Sequence, residues 1–246
     1  MWFKCITCEV LARMVYGCAA TSQNIIDVEL VQKGLHNQPE NLRNHLQSLV
    51  DLADQKKYDA ILLSYGLCGQ ATAGLQARTR PLVIPRAHDC ITLFLGSRER
   101  YTRQFNDHPG TYWYAQDYIE RDDGSGTSLS LGSGLDTNVQ SQYQEFVEKY
   151  GQENADYLME VMGAWQQHYQ RAVYIDMGIG NGRPVEERSQ QEASRRGWTF
   201  EKIAGDIVLV KRLLDGDWES DYLVVPPGNT VVMTYDENII GCKVQG

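Results

Sequence analysis

No stretch of the 246-residue chain approaches the ~18 consecutive apolar residues of a transmembrane helix, so no membrane span is expected. A surplus of basic charge is missing as well. Lys and Arg number 23 against 32 Asp and Glu, a formal net charge of −9, which argues against a general nucleic-acid binder. Arg98, Arg100 and Arg103 form a local basic cluster and no more. The N-terminus lacks the basic start, apolar run and small-residue cleavage site of a signal peptide, so a cytoplasmic location is the expectation. In that compartment six cysteines (5, 8, 18, 68, 90 and 242) read as thiols or metal ligands rather than a disulfide frame. Phosphate-loop signatures are also absent. Gly178-Ile179-Gly180-Asn181-Gly182 has neither the G-x-G-x-x-G spacing nor a P-loop lysine, and reads as a turn.

What is present is ordinary for a soluble globular protein, with 42% hydrophobic and 22% charged residues. The chain alternates strand-like and helix-like runs. Residues 2–8, 24–31, 58–64 and 81–85 read as strands. Runs 9–20 and 40–57 carry apolar residues at helical spacing, and a short helix is expected over 71–78. Tyr58 to Ser64 is continuously apolar, as strands buried on both faces tend to be. Residues 91–103 read as one helix, followed by an aromatic segment from Phe105 to Tyr118 that suits a small core beneath a loop or a stacking surface for a planar ligand.

Residues 122–135 are Gly/Ser-rich and mark a boundary, and a helical stripe runs from Tyr157 to Trp165. Strands at 172–176, 198–203 and 222–225 alternate with helices at 184–196 and 206–214. A helix–turn–strand run at 49–63 echoes one at 213–225. The expected fold is α/β, with two Rossmann-like lobes, mainly parallel sheets and a ligand cleft at the strand carboxyl ends. The lobes are expected at 1–121 and 171–246, with 122–170 as a Gly/Ser-rich loop and helical connector.

That fold gives the cysteines their meaning, because Cys8, Cys68 and Cys90 each stand at or just past the carboxyl end of a predicted strand. Thiolates are soft ligands suited to zinc, copper(I) or an iron–sulfur cluster, and buried cysteines that simply pack are the alternative. The densest run of reactive groups is Pro85-Arg86-Ala87-His88-Asp89-Cys90. His88 and Asp89 suit a general base with its partner, or a ligand with supporting carboxylate. Arg86 suits a pair with Asp89 or a substrate carboxylate or phosphate. Glu9, directly after Cys8, suits a helix start or an acid–base role. Gly66 and Gly69 flank Cys68 in a tight turn, and Arg98 and Arg100 suit acidic groups of a ligand. Cys5, Cys18 and Cys242 read as packing residues.

Several blocks resemble the domain of unknown function 1638 family of bacteria and archaea. They are Cys8-Glu9-Val10-Leu11, Gln32-Lys33-Gly34-Leu35-His36, Tyr58-Asp59-Ala60-Ile61-Leu62-Leu63, Tyr65-Gly66-Leu67-Cys68-Gly69, the Pro85–Cys90 run, 93–101 and 109–113. The resemblance spans roughly residues 2–225. It implies that Cys8, Cys68 and Cys90 belong to family motifs, and it implies a genomic setting beside corrinoid-dependent methyltransfer systems. It brings no established activity.

The functional expectation is a metalloprotein. Cys8, Cys68 and Cys90 would hold a 4Fe-4S cluster or another thiolate-bound metal, in redox or corrinoid-linked methyl-transfer metabolism, with a small-molecule ligand in the inter-lobe cleft. A corrinoid is the further cofactor candidate, and a corrinoid protein or methyltransferase the candidate partner. The alternatives are a metal-free small-molecule or corrinoid binding module or transferase, and a non-catalytic accessory protein.

Overall fold

The computed structural model describes residues 1–37, 39–121 and 169–244, with positions 147 and 152 in isolation. The Gly/Ser-rich boundary at 122–135 and the stripe at 157–165 lie outside the described residues. The fold is mixed α/β with mostly parallel sheets. Two compact units emerge: one comprises 1–103, 177–180 and 204–246, the other 104–176 and 181–203.

The first unit is built on a five-stranded sheet, ordered β2-β1-β3-β4-β8. Its strands are β1 (Trp2–Cys8), β2 (Ile25–Val31), β3 (Ala60–Ser64), β4 (Leu82–Pro85) and β8 (Tyr222–Val225). Strands β2, β1, β3 and β4 pair in parallel, whereas β8 pairs antiparallel to β4, with Leu82 opposite Val225 and Pro85 opposite Tyr222. β3 and β4 are buried at every residue, the consequence of a central position in a sheet that hides both faces. Helices α1 (Ala12–Thr21), α2 (Pro39–Asp54) and α7 (Val208–Asp215) pack against this sheet through Met14, Leu42, Leu46, Val50, Val210 and Leu213, all buried. No helix among the described residues is long and apolar enough to cross a membrane.

The second unit holds the three-stranded sheet β5-β6-β7 (Thr111–Ala115, Arg171–Asp176, Thr199–Ala204) and helices α5 (Gln116–Glu120) and α6 (Arg183–Arg196). The aromatic segment is core rather than a stacking surface. Tyr112 and Tyr114 are buried in β5 with Tyr174, and Tyr169 and Trp198 close over Tyr112 at ring separations of 5.4 Å.

Three sequence expectations are corrected. Residues 71–78 form turns, not a helix, because their backbone is bound elsewhere. Gly74 and Ala77 donate to the carbonyls of Val231 and Asn229, and Val231 and Gly228 donate back to Leu75 and Ala77. Residues 91–103 form two helices, α3 (Cys90–Leu95) and α4 (Arg98–Asp107), separated at Gly96 in the left-handed region (φ 66°). The strand at 222–225 joins the first sheet, so residues 204–246 belong with the N-terminal unit and the chain does not divide at a single boundary. The hairpin β9 (Asn229–Met233) and β10 (Ile240–Val244), which runs antiparallel beyond β8, was invisible to helix–strand alternation.

Candidate functional site

The carboxyl ends of β1, β3 and β4 are adjacent because the strands are parallel neighbours, and Cys8, Cys68 and Cys90 stand at or past those three ends. Cys8 closes β1. Cys68 lies in the turn after β3, in the left-handed region (φ 47°), followed by Gly69 (φ 64°) and Gln70 (φ 74°). For non-glycine residues that conformation is held by surrounding contacts. Here Leu67 and Cys68 donate backbone hydrogen bonds to the carbonyls of Ala87 (2.8 Å) and His88 (3.0 Å), which zips the turn after β3 to the segment after β4. Gly66 makes that approach feasible. A Cβ there would stand 2.7 Å from both Cα and N of Asp89, and 3.0 Å from the Ala87 carbonyl.

Cys90 opens α3, where Asp89 is the N-cap; its carboxylate accepts from the N–H groups of Ile91 (2.9 Å) and Thr92 (3.4 Å).

All three thiols are buried, Cys8 at 3% exposure and Cys68 and Cys90 at 6%. Burial pushes the Cys8 thiol up to about 12, and it pushes Cys68 and Cys90 upward too. The three are close enough to act on one another: Cys8 raises Cys68, and both raise Cys90, with the Asp89 carboxylate adding to the rise in each. Against this, the Val10 amide, the Lys33 ammonium and the Tyr65 hydroxyl lower Cys8. Among the described residues, no group of three or more His, Cys, Asp or Glu side chains is placed to hold a metal ion. Cys5 and Cys18 are buried as expected of packing residues, whereas Cys242 is exposed.

The remaining candidates divide. Glu9 does not start a long helix; it lies in a 3-10 turn (Glu9–Leu11), its carboxylate accepts the backbone N–H of Lys33 at 2.8 Å, and its charge raises the neighbouring Cys8 thiol. Asp89 does not pair with Arg86 or His88. Besides its capping bonds it accepts from the Tyr101 hydroxyl at 3.1 Å. Arg86 is committed to the carbonyls of Asn238 (3.1 Å) and Ile240, and Arg100 to those of Leu95 and Ala204, both at 2.8 Å, so these two guanidiniums hold the fold rather than a ligand. Gly69 serves the turn.

His88 and Arg98 do face a cavity. It measures about 640 Å³, lies within the first unit, and is also lined by Thr92, Tyr101, Arg103 and Ser220, with the turn of the β9–β10 hairpin at its edge. His88 stacks on Tyr101, ring centroids 5.8 Å apart. Burial and, after it, the Arg98 cation lower the His88 pKa, which favours the neutral imidazole. Arg98 also bonds the Glu237 carbonyl and stands 4.0 Å from Asp221.

Comparison with families then becomes informative. Residues 30–214 match the family described as "Protein of unknown function (DUF1638)". The chain belongs to this family. The matched range contains Cys68, Cys90, His88 and the lining of the pocket up to α4, while Cys8 and Glu9 precede it and Ser220 follows it. No curated protein and no solved structure matches the chain. Sequence reasoning missed Lys33, Tyr65, Thr92 and Tyr101, and named Arg103 only as part of a basic cluster. Lys33 and Tyr65 stood inside the quoted family blocks, and their places beside the cysteine motifs were the available signal.

Asp89 supplies a prediction for the metal-free protein. Burial raises its pKa to about 6, and the Tyr101, Thr92 and Ile91 bonds offset only part of that. The folded value lies above the unfolded value of ~3.9, so the native state prefers the protonated acid. That stabilising preference is complete below pH ~4 and is lost as pH rises through about 6, amounting to roughly 2–3 kcal/mol. Asp89→Asn keeps a capping acceptor and removes the titration. The difference between its urea midpoint and that of the parent should therefore shift in the variant's favour between pH 4 and pH 7; a constant difference would refute the assignment.

Proposed function

We propose that this protein holds an iron–sulfur cluster through Cys8, Cys68 and Cys90, and that it serves redox or methyl-transfer metabolism linked to corrinoids. The observation that carries the reading is the placement of three buried thiols at or past three adjacent strand ends. Three neighbouring thiols are a poor apolar core and a good soft donor set. The donor set fits a cluster better than a lone ion. A single zinc needs all its sulfurs within ~2.3 Å of one ion, whereas a cluster takes one thiolate per iron, a looser demand on thiols supplied by three separate strand ends. When bound, a cluster with three protein thiolates supplies one-electron transfer, or an iron open to substrate.

The chain's own residues have definite parts in this reading. The Lys33 ammonium and Tyr65 hydroxyl favour the Cys8 thiolate. The Asp89 carboxylate fixes the start of α3 and thereby Cys90. The backbone bonds from Leu67 and Cys68 hold the second thiol to the third. His88 and Tyr101 form the wall of a pocket that opens two residues from Cys90.

The test is anaerobic reconstitution with ferrous iron and sulfide. The expected result is visible thiolate-to-iron absorption, with iron and sulfide bound in equal amounts. Cys68→Ala should lose both, and Cys242→Ser, altered at the exposed cysteine, should keep both. A folded protein that stays colourless and free of iron sinks the reading.

A further inference from the structure

We propose that the cavity beside α4 is a binding site for a small organic oxyanion, a carboxylate or phosphate carried on a flat body. This goes beyond the cluster reading and stands without it, since every group it uses belongs to the pocket wall. Four observations converge. First, the cavity of about 640 Å³ is the size of a small-molecule site, and it lies past the carboxyl end of β4, where open α/β sheets place their ligands. Second, two guanidiniums reach it from one helix. Arg98 is anchored by the Glu237 carbonyl and so is held in position. Arg103 makes no hydrogen bond or ion pair among the described residues, which leaves its fork of donors for a ligand.

Third, Thr92 lines the cavity at 1% exposure, and its Oγ1 has no hydrogen-bond partner. A buried hydroxyl left without a partner is costly, and because this one is closed off behind the pocket wall, a ligand oxygen satisfies it only with a small shift of that wall. Fourth, the aromatic rings of His88 and Tyr101, stacked on one another, both line the cavity and offer ring contact to a planar ligand.

Acidic groups are present too: Glu99 lies on the same wall, its carboxyl held down first by the Ser97 hydroxyl and also by the Arg98 and Arg103 cations. Glu99 accepts from the Ser97 hydroxyl at 2.7 Å. Asp221 is bound by Arg212 at 3.2 Å and stands 4.0 Å from Arg98. Glu237 is exposed and contributes its carbonyl to Arg98. Arg86 adds to the positive side from behind, close enough to Arg98 for that cation to lower its pKa.

The proposal is tested by calorimetric titration of the full chain with benzoate, phenyl phosphate and benzylamine at low ionic strength. Benzoate or phenyl phosphate is expected to bind at submillimolar concentration, with the tighter of the two naming the anion source, and benzylamine is expected not to bind. Arg103→Ala, at an exposed residue that the fold does not use, should weaken binding about tenfold, the loss of one charged hydrogen-bonding partner. Thr92→Val, of nearly the same shape, should weaken binding about fivefold without lowering Tm, since it removes a hydroxyl that nothing in the fold satisfies. No anion binding at millimolar concentration, equal binding of benzylamine, or an affinity unchanged in both variants would each overturn it. Cluster loading is read separately by absorption, so failure of one proposal is distinguishable from failure of the other.

Discussion

Gly66→Ala is expected to lower Tm by about 10 °C, the largest effect of adding one methyl group anywhere in the site. The added Cβ would stand 2.7 Å from two backbone atoms of Asp89 and 3.0 Å from the Ala87 carbonyl. None of these is the end of a flexible side chain, so relief requires the turn after β3 to move away from the segment after β4. That movement stretches the hydrogen bonds from Leu67 to Ala87 and from Cys68 to His88. Overpacking of this kind costs about 1–3 kcal/mol, and weakening two buried backbone bonds adds roughly 1 kcal/mol each. The same displacement separates Cys68 from Cys90, so cluster loading should fail in this variant even at temperatures where it remains folded. Gly34→Ala, where nothing lies within 4 Å, is the control and should leave Tm nearly unchanged. Thermal melts of the two variants beside the parent make the comparison. Equal Tm values would mean that the close approach of the two segments is not rigid.

The close approach shows where the sequence was readable and where it was not. β1, β2, β3 and β4 could be placed within a residue or two, because parallel central strands announce themselves as short apolar runs. The placement of Cys8, Cys68 and Cys90 at one edge of the sheet followed from that topology, since a parallel sheet brings successive carboxyl ends together. β8 was placed correctly as a strand but assigned to the wrong body. Periodicity reports that a segment is buried and says nothing of which neighbour buries it, and Tyr222–Val225 pairs antiparallel with a strand 140 residues earlier in the chain. The roles of Arg86, Arg98 and Arg100 were illegible for a related reason. All three are cations, and only folded distances show each of them bound to backbone carbonyls and Arg98 alone of the three lining the pocket. Thr92 lies on α3 outside every quoted block, Tyr101 on α4 at the end of the 93–101 block, and Arg103 on α4 just beyond it. They became visible when the break at Gly96 turned one predicted helix into two and folded the second back over His88.

The buried thiols also dictate how the protein responds to alkali. In the metal-free, reduced chain, Cys5 and Cys8 are pushed up to about 12 and Cys18 to about 11, each chiefly by burial. Free thiols titrate near ~8.5. Above that pH the unfolded chain gives up these protons while the native state retains them, so the native state binds more protons and stability must fall as pH rises. The stabilising preference is complete below pH ~8.5 and is lost progressively until the folded values are reached. Each thiol contributes about 1.4 kcal/mol per pH unit, so these three remove roughly 4 kcal/mol per unit. Cys68 and Cys90 act in the same direction. Against a total stability of about 5–15 kcal/mol, the metal-free protein should unfold between pH 9 and pH 11.

Urea midpoints at pH 8, 9 and 10 measure this fall directly, and a midpoint that holds steady to pH 10 would refute it. Cys18→Ala, at a helical position where alanine is well tolerated, should reduce the slope by one thiol's share. A soft cation bound at Cys8, Cys68 and Cys90 replaces their protons outright and withdraws those three thiols from the balance. A protein loaded through these cysteines should therefore remain folded at a pH that unfolds the metal-free chain, and this difference should vanish in Cys68→Ala while surviving in Cys18→Ala.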